Sequence, residues 1–206
     1  MRLTHWIVRA LCCAGLITHV FVNANDAQQN YTTCSACHGE LGQGNNAMNA
    51  PALAGQSESY LKRQLQNFAK GIRGSHVEDV NGKTMVPFAK LVADDKQQAL
   101  VTYISQLKPV LVKPTLDGDL MNGSRYYQGK CGACHGGKAQ GNPAFNAPKL
   151  SGLDPQYLLL QMNNFKQGIR GQHPEDKLGR QMAMMSKIVS ENELQDILFF
   201  ISEQGE

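Results

Sequence analysis

The stretch Cys34-Ser35-Ala36-Cys37-His38 occurs a second time, as Cys131-Gly132-Ala133-Cys134-His135, 97 positions further along the chain. Two thiols three positions apart on one helical turn can each add to a vinyl group at the same edge of a porphyrin. The histidine that follows each pair then directs its imidazole at the metal. This spacing is the attachment signature of a c-type haem. The repeated motif therefore predicts two covalently bound c-type haems, attached through Cys34, Cys37, Cys131 and Cys134, with His38 and His135 as axial ligands of the irons.

Three other uses of these cysteines are compatible with the same spacing. A C-x-x-C pair occurs in thioredoxin-like redox sites, but those accompany a βαβ pattern that this sequence lacks. Four cysteines also suit a structural zinc site, which does not require a histidine directly after each pair. Two plain disulfides in an exported protein are the third alternative. Only the haem interpretation explains both histidines.

The first 24 residues are typical of a secretory signal peptide. A basic start with Arg2 and Arg9 precedes a largely apolar run over 10–22, and Val22-Asn23-Ala24 offers a small-residue cleavage site. The apolar run is short for a transmembrane helix, although an uncleaved N-terminal anchor remains an alternative. Cleavage would remove two of the six cysteines and leave the four of the haem motifs. We therefore expect an exported, periplasmic protein, either free or associated with the membrane surface.

The charge of the chain argues against nucleic acid as a partner. The formal net charge is +3, and it falls to +1 without the two arginines of the leader. Haem propionates would move the charge of the loaded protein further to the negative side. Nothing in this balance resembles the basic footprint of a nucleic-acid-binding protein.

The similarity between the two halves extends far beyond the motifs. Residues 34–105 align with 131–202 without a gap, and 33 of the 72 aligned positions are identical. Self-similarity of this kind indicates tandem duplication of a small domain. We expect domain 1 at 25–108, a linker at 109–116 and domain 2 at 117–206.

Each half is expected to be all-α, because neither contains a convincing alternation of apolar and polar residues. A middle helix follows Ser57 in domain 1 and Asp154-Pro155 in domain 2, where both starts carry capping residues. A last helix runs from about 95 to 107 in domain 1. Its counterpart opens with a capping box formed by Ser190 and Glu193.

The two halves differ in the segments that precede their motifs. The stretch 119–130 predicts a helix ahead of the second motif, with Gly123, Tyr126 and Tyr127, that is suited to crossing the last helix. Only residues 25–33 precede the first motif after cleavage, so we expect a short helix of a turn or two there and a less well covered haem. In the linker, two prolines bracket three apolar residues, which indicates an extended segment that packs against a domain.

Methionine is the leading candidate for the sixth ligand of each iron. Met85 lies 51 residues after Cys34, and Met182 lies 51 residues after Cys131. A single methionine is more often a core residue, but the equivalence of these two across the repeat favours a shared role. A soft, neutral thioether stabilises ferrous iron and raises the potential relative to ligation by two histidines.

Other side chains compete for this role. Met184 and Met185 lie beside Met182, and only the alignment of the two halves favours Met182. His76 and His173 each precede their methionine by nine positions, in polar loops rich in glycine. We expect these histidines to be solvated or to lie near a propionate.

These features together resemble the dihaem cytochromes c4, which consist of two class I cytochrome c domains in tandem. The resemblance covers essentially the whole chain after the leader, and it rests on the two motifs, Pro51 and Pro148, Tyr60 and Tyr157, and Met85 and Met182. It implies that each proline carbonyl accepts the proton on the far nitrogen of the ligating histidine and so orients the ring. Four cations are candidates for neutralising propionates, with solvated surface charges as the alternative: Arg73, Arg170, Lys83 and Arg180.

We interpret the chain as an electron carrier rather than an enzyme, and assign no catalytic residue. It would take one electron per haem from a quinol-oxidising cytochrome bc complex or a dehydrogenase, and pass electrons to a terminal oxidase or another c-type acceptor. Two six-coordinate irons leave no position open for a substrate. The alternatives are the electron-accepting subunit of a periplasmic dehydrogenase, a small dihaem oxidoreductase, and a haem-based sensor, for which the chain offers no output domain.

Overall fold

The computed structural model describes residues 24–92, 94–110 and 116–204. Within these ranges the regular structure is helical, apart from two isolated β-bridges, so the all-α prediction is confirmed. None of the helices in the described ranges has the length and hydropathy needed to span a membrane. The helices of domain 1 are α1 (Ala24–His38), α2 (Glu58–Ala69), α3 (Val80–Leu91) and α4 (Asp94–Gln106); those of domain 2 are α5 (Leu120–Lys130), α6 (Gly132–His135), α7 (Pro155–Lys166), α8 (Lys177–Lys187) and α9 (Glu191–Ser202).

The middle and last helices begin where their capping residues predict. The Ser57 hydroxyl accepts a hydrogen bond from the backbone N–H of Tyr60 at the start of α2, and Asp154 caps α7 in a similar way. Ser190 and Glu193 form both bonds of the capping box at the start of α9. Local sequence signals therefore place these helices correctly in both halves.

Helix α1 is longer than the sequence suggested. It runs without a break from Ala24 through the first motif to His38, so about three turns precede Cys34. The prediction of a turn or two is wrong because the helix continues directly into the motif and is held along its length by packing. Ala27 and Tyr31 are buried, and α1 packs against α4.

The second motif is not continuous with the helix before it. Cys131, with φ −123° and ψ −40°, separates α5 from α6. Tyr31 lies three residues before its motif and Tyr127 lies four residues before, so domain 2 has one extra residue here. Each tyrosine hydroxyl still donates to the backbone carbonyl of the glycine that follows the motif histidine, at 2.7 Å in domain 1 and 2.8 Å in domain 2. The break at Cys131 thus absorbs the extra residue and preserves the placement of the motif.

Each domain has an apolar core where its first helix crosses its last helix. In domain 2 the crossing depends on Gly123, where a Cβ atom would collide with the backbone carbonyl of Asp196 and contact Phe200. The predicted crossing of this helix with the last helix is therefore confirmed. Tyr127 is fully buried beside it, with its ring 5.0 Å from that of Phe200. The core of domain 1 is built from Tyr31, Leu61, Leu100, Val101 and Ile104.

The two domains are in direct contact. The side-chain amide of Gln56 donates to the carbonyl of Lys149, and its oxygen accepts from the N–H of Lys149, both at 2.9 Å. Pro109, the first residue of the predicted linker, lies so close to Gly55 that a Cβ there would be 2.7 Å from its ring. Pro109 therefore lies against domain 1, while residues 111–115, which include two of the three apolar residues expected to pack, and the leader before Ala24 lie outside the described residues.

Candidate haem sites

The two motif histidines are buried and are held by the same contact. Nδ1 of His38 lies 2.8 Å from the carbonyl oxygen of Pro51, and Nδ1 of His135 lies 3.0 Å from that of Pro148. Because a carbonyl only accepts, Nδ1 carries the proton and Nε2 keeps its lone pair. Burial lowers the pKa of both imidazoles, and the proline contact opposes this shift only in part. Each histidine is neutral at pH 7 and offers Nε2 to a metal, so the predicted proline contacts are confirmed.

None of the four motif cysteines is joined to another in a disulfide. Burial raises the pKa of Cys34, and it raises the pKa of Cys131 to about 11. In the described ranges, no group of three or more histidine, cysteine or acidic side chains is arranged to hold a metal ion. The geometry therefore gives no support to the disulfide and zinc alternatives. Paired thiols next to a neutral histidine suit thioether formation with a haem.

A cavity of about 220 Å³ lies beside the second motif. Met182 and Met185 both line it, together with the cysteines and the histidine of that motif. The side chain of Met184 is 63% exposed and lies outside the lining, as does that of His173. The cavity lining thus leaves Met182 and Met185, but not Met184, as candidates for the axial ligand in domain 2. Its apolar wall includes Leu158, Phe165, Val189, Leu194, Ile197 and Ile201.

Both candidate methionine ligands lie on helices that the sequence analysis did not predict, Met85 on α3 and Met182 on α8. Each helix begins at a buried aspartate, Asp79 or Asp176, which accepts a 2.9 Å hydrogen bond from the backbone N–H three residues later. The aspartates were available as a capping signal. In α3, Pro87 opposes this signal, since proline disfavours a helix interior; α8 contains no proline, so there the signal was overlooked.

The rival histidines occupy equivalent surface loops. Nδ1 of His76 accepts a hydrogen bond from the backbone N–H of Glu78, and Nδ1 of His173 accepts one from Glu175, both at 3.2 Å. The side chain of His76 is 40% exposed. These contacts agree with the expectation of solvated loop histidines.

Two arginines meet two glutamines at the boundary between the domains. The guanidinium of Arg73 donates to the side-chain oxygen of Gln64 at 2.7 Å and to that of Gln161 at 3.0 Å. The guanidinium of Arg170 donates to Gln161 at 2.7 Å and to Gln64 at 3.2 Å. Each guanidinium also stacks on a phenylalanine of its own domain, 4.5 Å from the ring centroid. Equivalent residues of the two halves thus make equivalent contacts, in an approximately two-fold symmetric arrangement. Sequence reasoning missed the glutamines, although they are identical in the two halves.

These arginines fit a binding site for anions. Among the described residues neither guanidinium has a carboxylate within ion-pair distance, and Nε of each is buried without a hydrogen-bond partner. Buried charges of the same sign require compensation. Haem propionates carry the required charge, so Arg73 and Arg170 fit the predicted role. Lys83 and Arg180 instead donate to carbonyls of their own loops, at 3.1 and 3.5 Å.

Comparison with known proteins agrees with this geometry. The family model described as Cytochrome c matches residues 24–108 and again 120–204. A cytochrome c4 from Azotobacter vinelandii is 30% identical over 190 residues, which cover 86% of this chain and 89% of that protein. The chain belongs to the dihaem cytochrome c4 family. It therefore binds two c-type haems covalently and carries electrons.

Two further relatives of this cytochrome c4 family member match it over nearly their full length. A thiosulfate dehydrogenase electron acceptor from Stutzerimonas stutzeri (strain A1501) is 26% identical over 231 residues, covering 100% of this chain and 98% of that protein. The crystal structure of reduced recombinant cytochrome c4 from Pseudomonas stutzeri superimposes with a TM-score of 0.69 at 26% identity, over 87% of this chain and 97% of that one. The arrangement of two domains is thus shared along the whole chain.

Proposed function

We propose that the chain carries single electrons between redox proteins of the periplasm through two haems ligated by histidine and methionine. The observation that carries this proposal is the duplicated histidine geometry, in which a buried neutral imidazole is oriented by a proline carbonyl beside two cysteines. The haem-binding units span 25–108 and 117–206, with 109–116 as the linker. The proposed attachment residues are Cys34, Cys37, Cys131 and Cys134, and the proposed axial ligands are His38, Met85, His135 and Met182.

The residues around each site keep the ligands fixed during electron transfer. When bound, each haem supplies an iron that alternates between the ferrous and ferric states. Pro148 holds the ring of His135, and α8 holds Met182 on the same cavity. The apolar wall excludes water, so the surroundings reorganise little when the charge of the site changes. This rigidity suits a carrier.

A closed coordination sphere supports electron transfer without catalysis. A catalytic iron needs an open position for its substrate, or a reactive side chain beside it. We assign Met85 and Met182 to that position, with Met182 lining the cavity beside the second motif, and we assign all four motif cysteines to haem attachment. The chain therefore acts as a carrier rather than as an enzyme in its own right.

A dehydrogenase is the second candidate for the electron donor, beside a cytochrome bc complex. The observation in its favour is the match to a thiosulfate dehydrogenase electron acceptor along 98% of that relative. Both donors deliver single electrons to the same two sites. A terminal oxidase or another c-type cytochrome then receives the electrons, and peripheral association with the membrane would keep the carrier near such complexes.

Mixing experiments with the purified protein test the carrier function. We expect low-spin spectra with the absorption band of methionine ligation, and no binding of carbon monoxide or cyanide within the mixing time. Rapid reduction by a thiosulfate-oxidising dehydrogenase, compared with a cytochrome bc complex, would identify the donor. Fast ligand binding at either haem would favour an enzyme or a sensor and contradict the proposal.

A further inference from the structure

Arg63 belongs to domain 1 but lies at the haem site of domain 2. Its side chain extends from α2 and lines the cavity beside the second motif. Nη2 donates a 2.8 Å hydrogen bond to the carbonyl of Asn146. That residue lies two positions before Pro148, whose carbonyl orients His135. One domain thus supports the loop that holds the metal ligand of the other.

The two halves of the chain differ at the position of Arg63. Residues on either side of the boundary are identical in the two halves, as Tyr60 matches Tyr157 and Gln64 matches Gln161. Arg63, however, aligns with Leu160, which carries no charge. The haem site of domain 2 therefore receives a cation from the opposite domain, whereas the equivalent position on α7 offers the site of domain 1 only an apolar side chain.

The charges near Arg63 leave a positive excess at the second site. Asp176 is the carboxylate that interacts with it, and the guanidinium of Arg170 and the hydroxyl of Tyr60 are the other groups that face it. Burial lowers the pKa of Arg63, but a guanidinium remains protonated at any working pH. Arg63 therefore has one guanidinium and one carboxylate among the charged groups that face it. In domain 1 the corresponding aspartate, Asp79, interacts with Arg73, and no arginine is found at the place of Leu160.

We propose that Arg63 is a positioning residue of the domain 2 haem site, supplied by domain 1, and that its charge raises the reduction potential of that haem relative to the other. A ferric haem carries one more positive charge than a ferrous haem, so a nearby cation disfavours oxidation. The inference rests on the proposed electron-carrier function. Its consequence is that domain 1 contributes to the difference between the two reduction potentials through a side chain that crosses the boundary.

Substitution of Arg63 separates its charge from its hydrogen bond. Arg63→Gln keeps a donor for the carbonyl of Asn146 but removes the charge, whereas Arg63→Lys keeps the charge. In Arg63→Gln we expect the equilibrium ratio of singly reduced protein with the electron on haem 2 to that with the electron on haem 1 to fall roughly tenfold, which is about 59 mV for a one-electron couple. Arg63→Lys should retain most of the original ratio. A redox titration followed by absorption and NMR measures both values.

Lys62→Gln is the matched control for net charge. Lys62 is the neighbour of Arg63, but its Nζ donates to Gln98 on α4 of its own domain, at 3.1 Å. Its loss should leave the ratio unchanged. The reciprocal variant Leu160→Arg adds a cation at the equivalent position and should raise the potential of haem 1, which provides a test that does not require Arg63→Gln to fold.

The outcomes distinguish this inference from the function on which it rests. The two potentials are assigned to their haems with Met85→Ala and Met182→Ala. An unchanged ratio in Arg63→Gln, or an equal shift in Lys62→Gln, would overturn the role of Arg63 even if both methionine bands persist. Equal shifts in Arg63→Gln and Arg63→Lys would assign Arg63 a structural role only. Absence of the methionine bands in the unmodified protein would instead refute the proposed ligation.

Discussion

His38 and His135 show how one backbone carbonyl decides the chemistry of a side chain. Without Pro51 or Pro148 either ring nitrogen could carry the proton. With the carbonyl in place, Nδ1 donates and Nε2 faces the site as a base. The resemblance to the dihaem cytochromes c4 implied this contact before the structure showed it, with each proline 13 positions after its histidine.

Met182→Ala tests the axial ligand in domain 2. We expect the potential of one haem to fall and that haem to bind carbon monoxide or cyanide on mixing, because the sulfur no longer closes the coordination sphere. Met184→Ala is the control, since that side chain is 63% exposed and lies outside the cavity lining. If Met185→Ala produced the change and Met182→Ala did not, the assignment would move to Met185.

At the scale of the helices, the crossing of the first and last helices determines the shape of each domain. Helices α5 and α9 approach so closely that only a glycine fits at position 123. The contact brings Lys130, at the end of α5, to the start of α9, where its Nζ lies 2.7 Å from both carboxylate oxygens of Glu193. The cysteine motif follows directly, so the crossing also positions the haem attachment.

Gly123→Ala should destabilise domain 2. The added Cβ meets the backbone of α9, and the helices must separate, at a cost of about 1–3 kcal/mol. Gly129→Ala on the same helix is the control, because a Cβ there has no neighbouring heavy atom within 4 Å. That change should stabilise the protein by up to about 1 kcal/mol through helix propensity. Denaturant unfolding of the haem-loaded protein measures both, and equal effects would contradict the close crossing.

The ion pair between Lys130 and Glu193 predicts a dependence of stability on pH. The hydrogen bond from Lys130 is the main cause that lowers the pKa of Glu193 from 4.5 to about 2. Since the folded pKa is depressed, the contribution is complete above about pH 5 and is lost as the pH falls toward 2. Glu193→Gln retains a capping side chain but not the charge. Its stability deficit should be present at pH 7 and vanish near pH 2; a constant deficit would contradict the ion pair.

Sequence reasoning succeeded for elements whose signals are local and failed where the outcome depends on packing. Ser190 with Glu193 placed the start of α9, and Gly123 with Tyr126 and Tyr127 indicated that α5 crosses the last helix. The full length of α1 was missed, because nothing local to residues 24–33 reveals that Tyr31 packs against α4. Helix α3 was missed because Pro87 disfavours it locally. Arg63 could not be assigned, because its contact crosses the boundary between the domains.

At the scale of the whole molecule, the boundary between the domains is an ordered polar interface. Gln64 and Gln161 each accept hydrogen bonds from both guanidiniums, so neither domain can satisfy its own arginine fully. Gln56 adds two bonds to the backbone of Lys149. These contacts keep the two haem sites at a fixed separation, which matters because electron tunnelling falls steeply with distance.

Gln161→Ala should weaken the coupling of the domains. It removes the acceptor of two charged donors in a buried place, which costs roughly 2 kcal/mol or more. Calorimetry should show the thermal transition of the loaded protein separating into two. Gln156→Ala, on the exposed side of the same helix, should change stability by no more than about 0.5 kcal/mol. A single unchanged transition in Gln161→Ala would show that the domains are coupled by other contacts.

A redox titration of the purified mature protein, followed by absorption from the visible to the near infrared, tests the central claim most directly. We predict two covalently bound haems per chain, two one-electron transitions and a methionine-to-iron band for each ferric haem. One covalent haem, or a band that reports a single methionine-ligated iron, would contradict the proposal that each half of the chain closes its own haem with histidine and methionine.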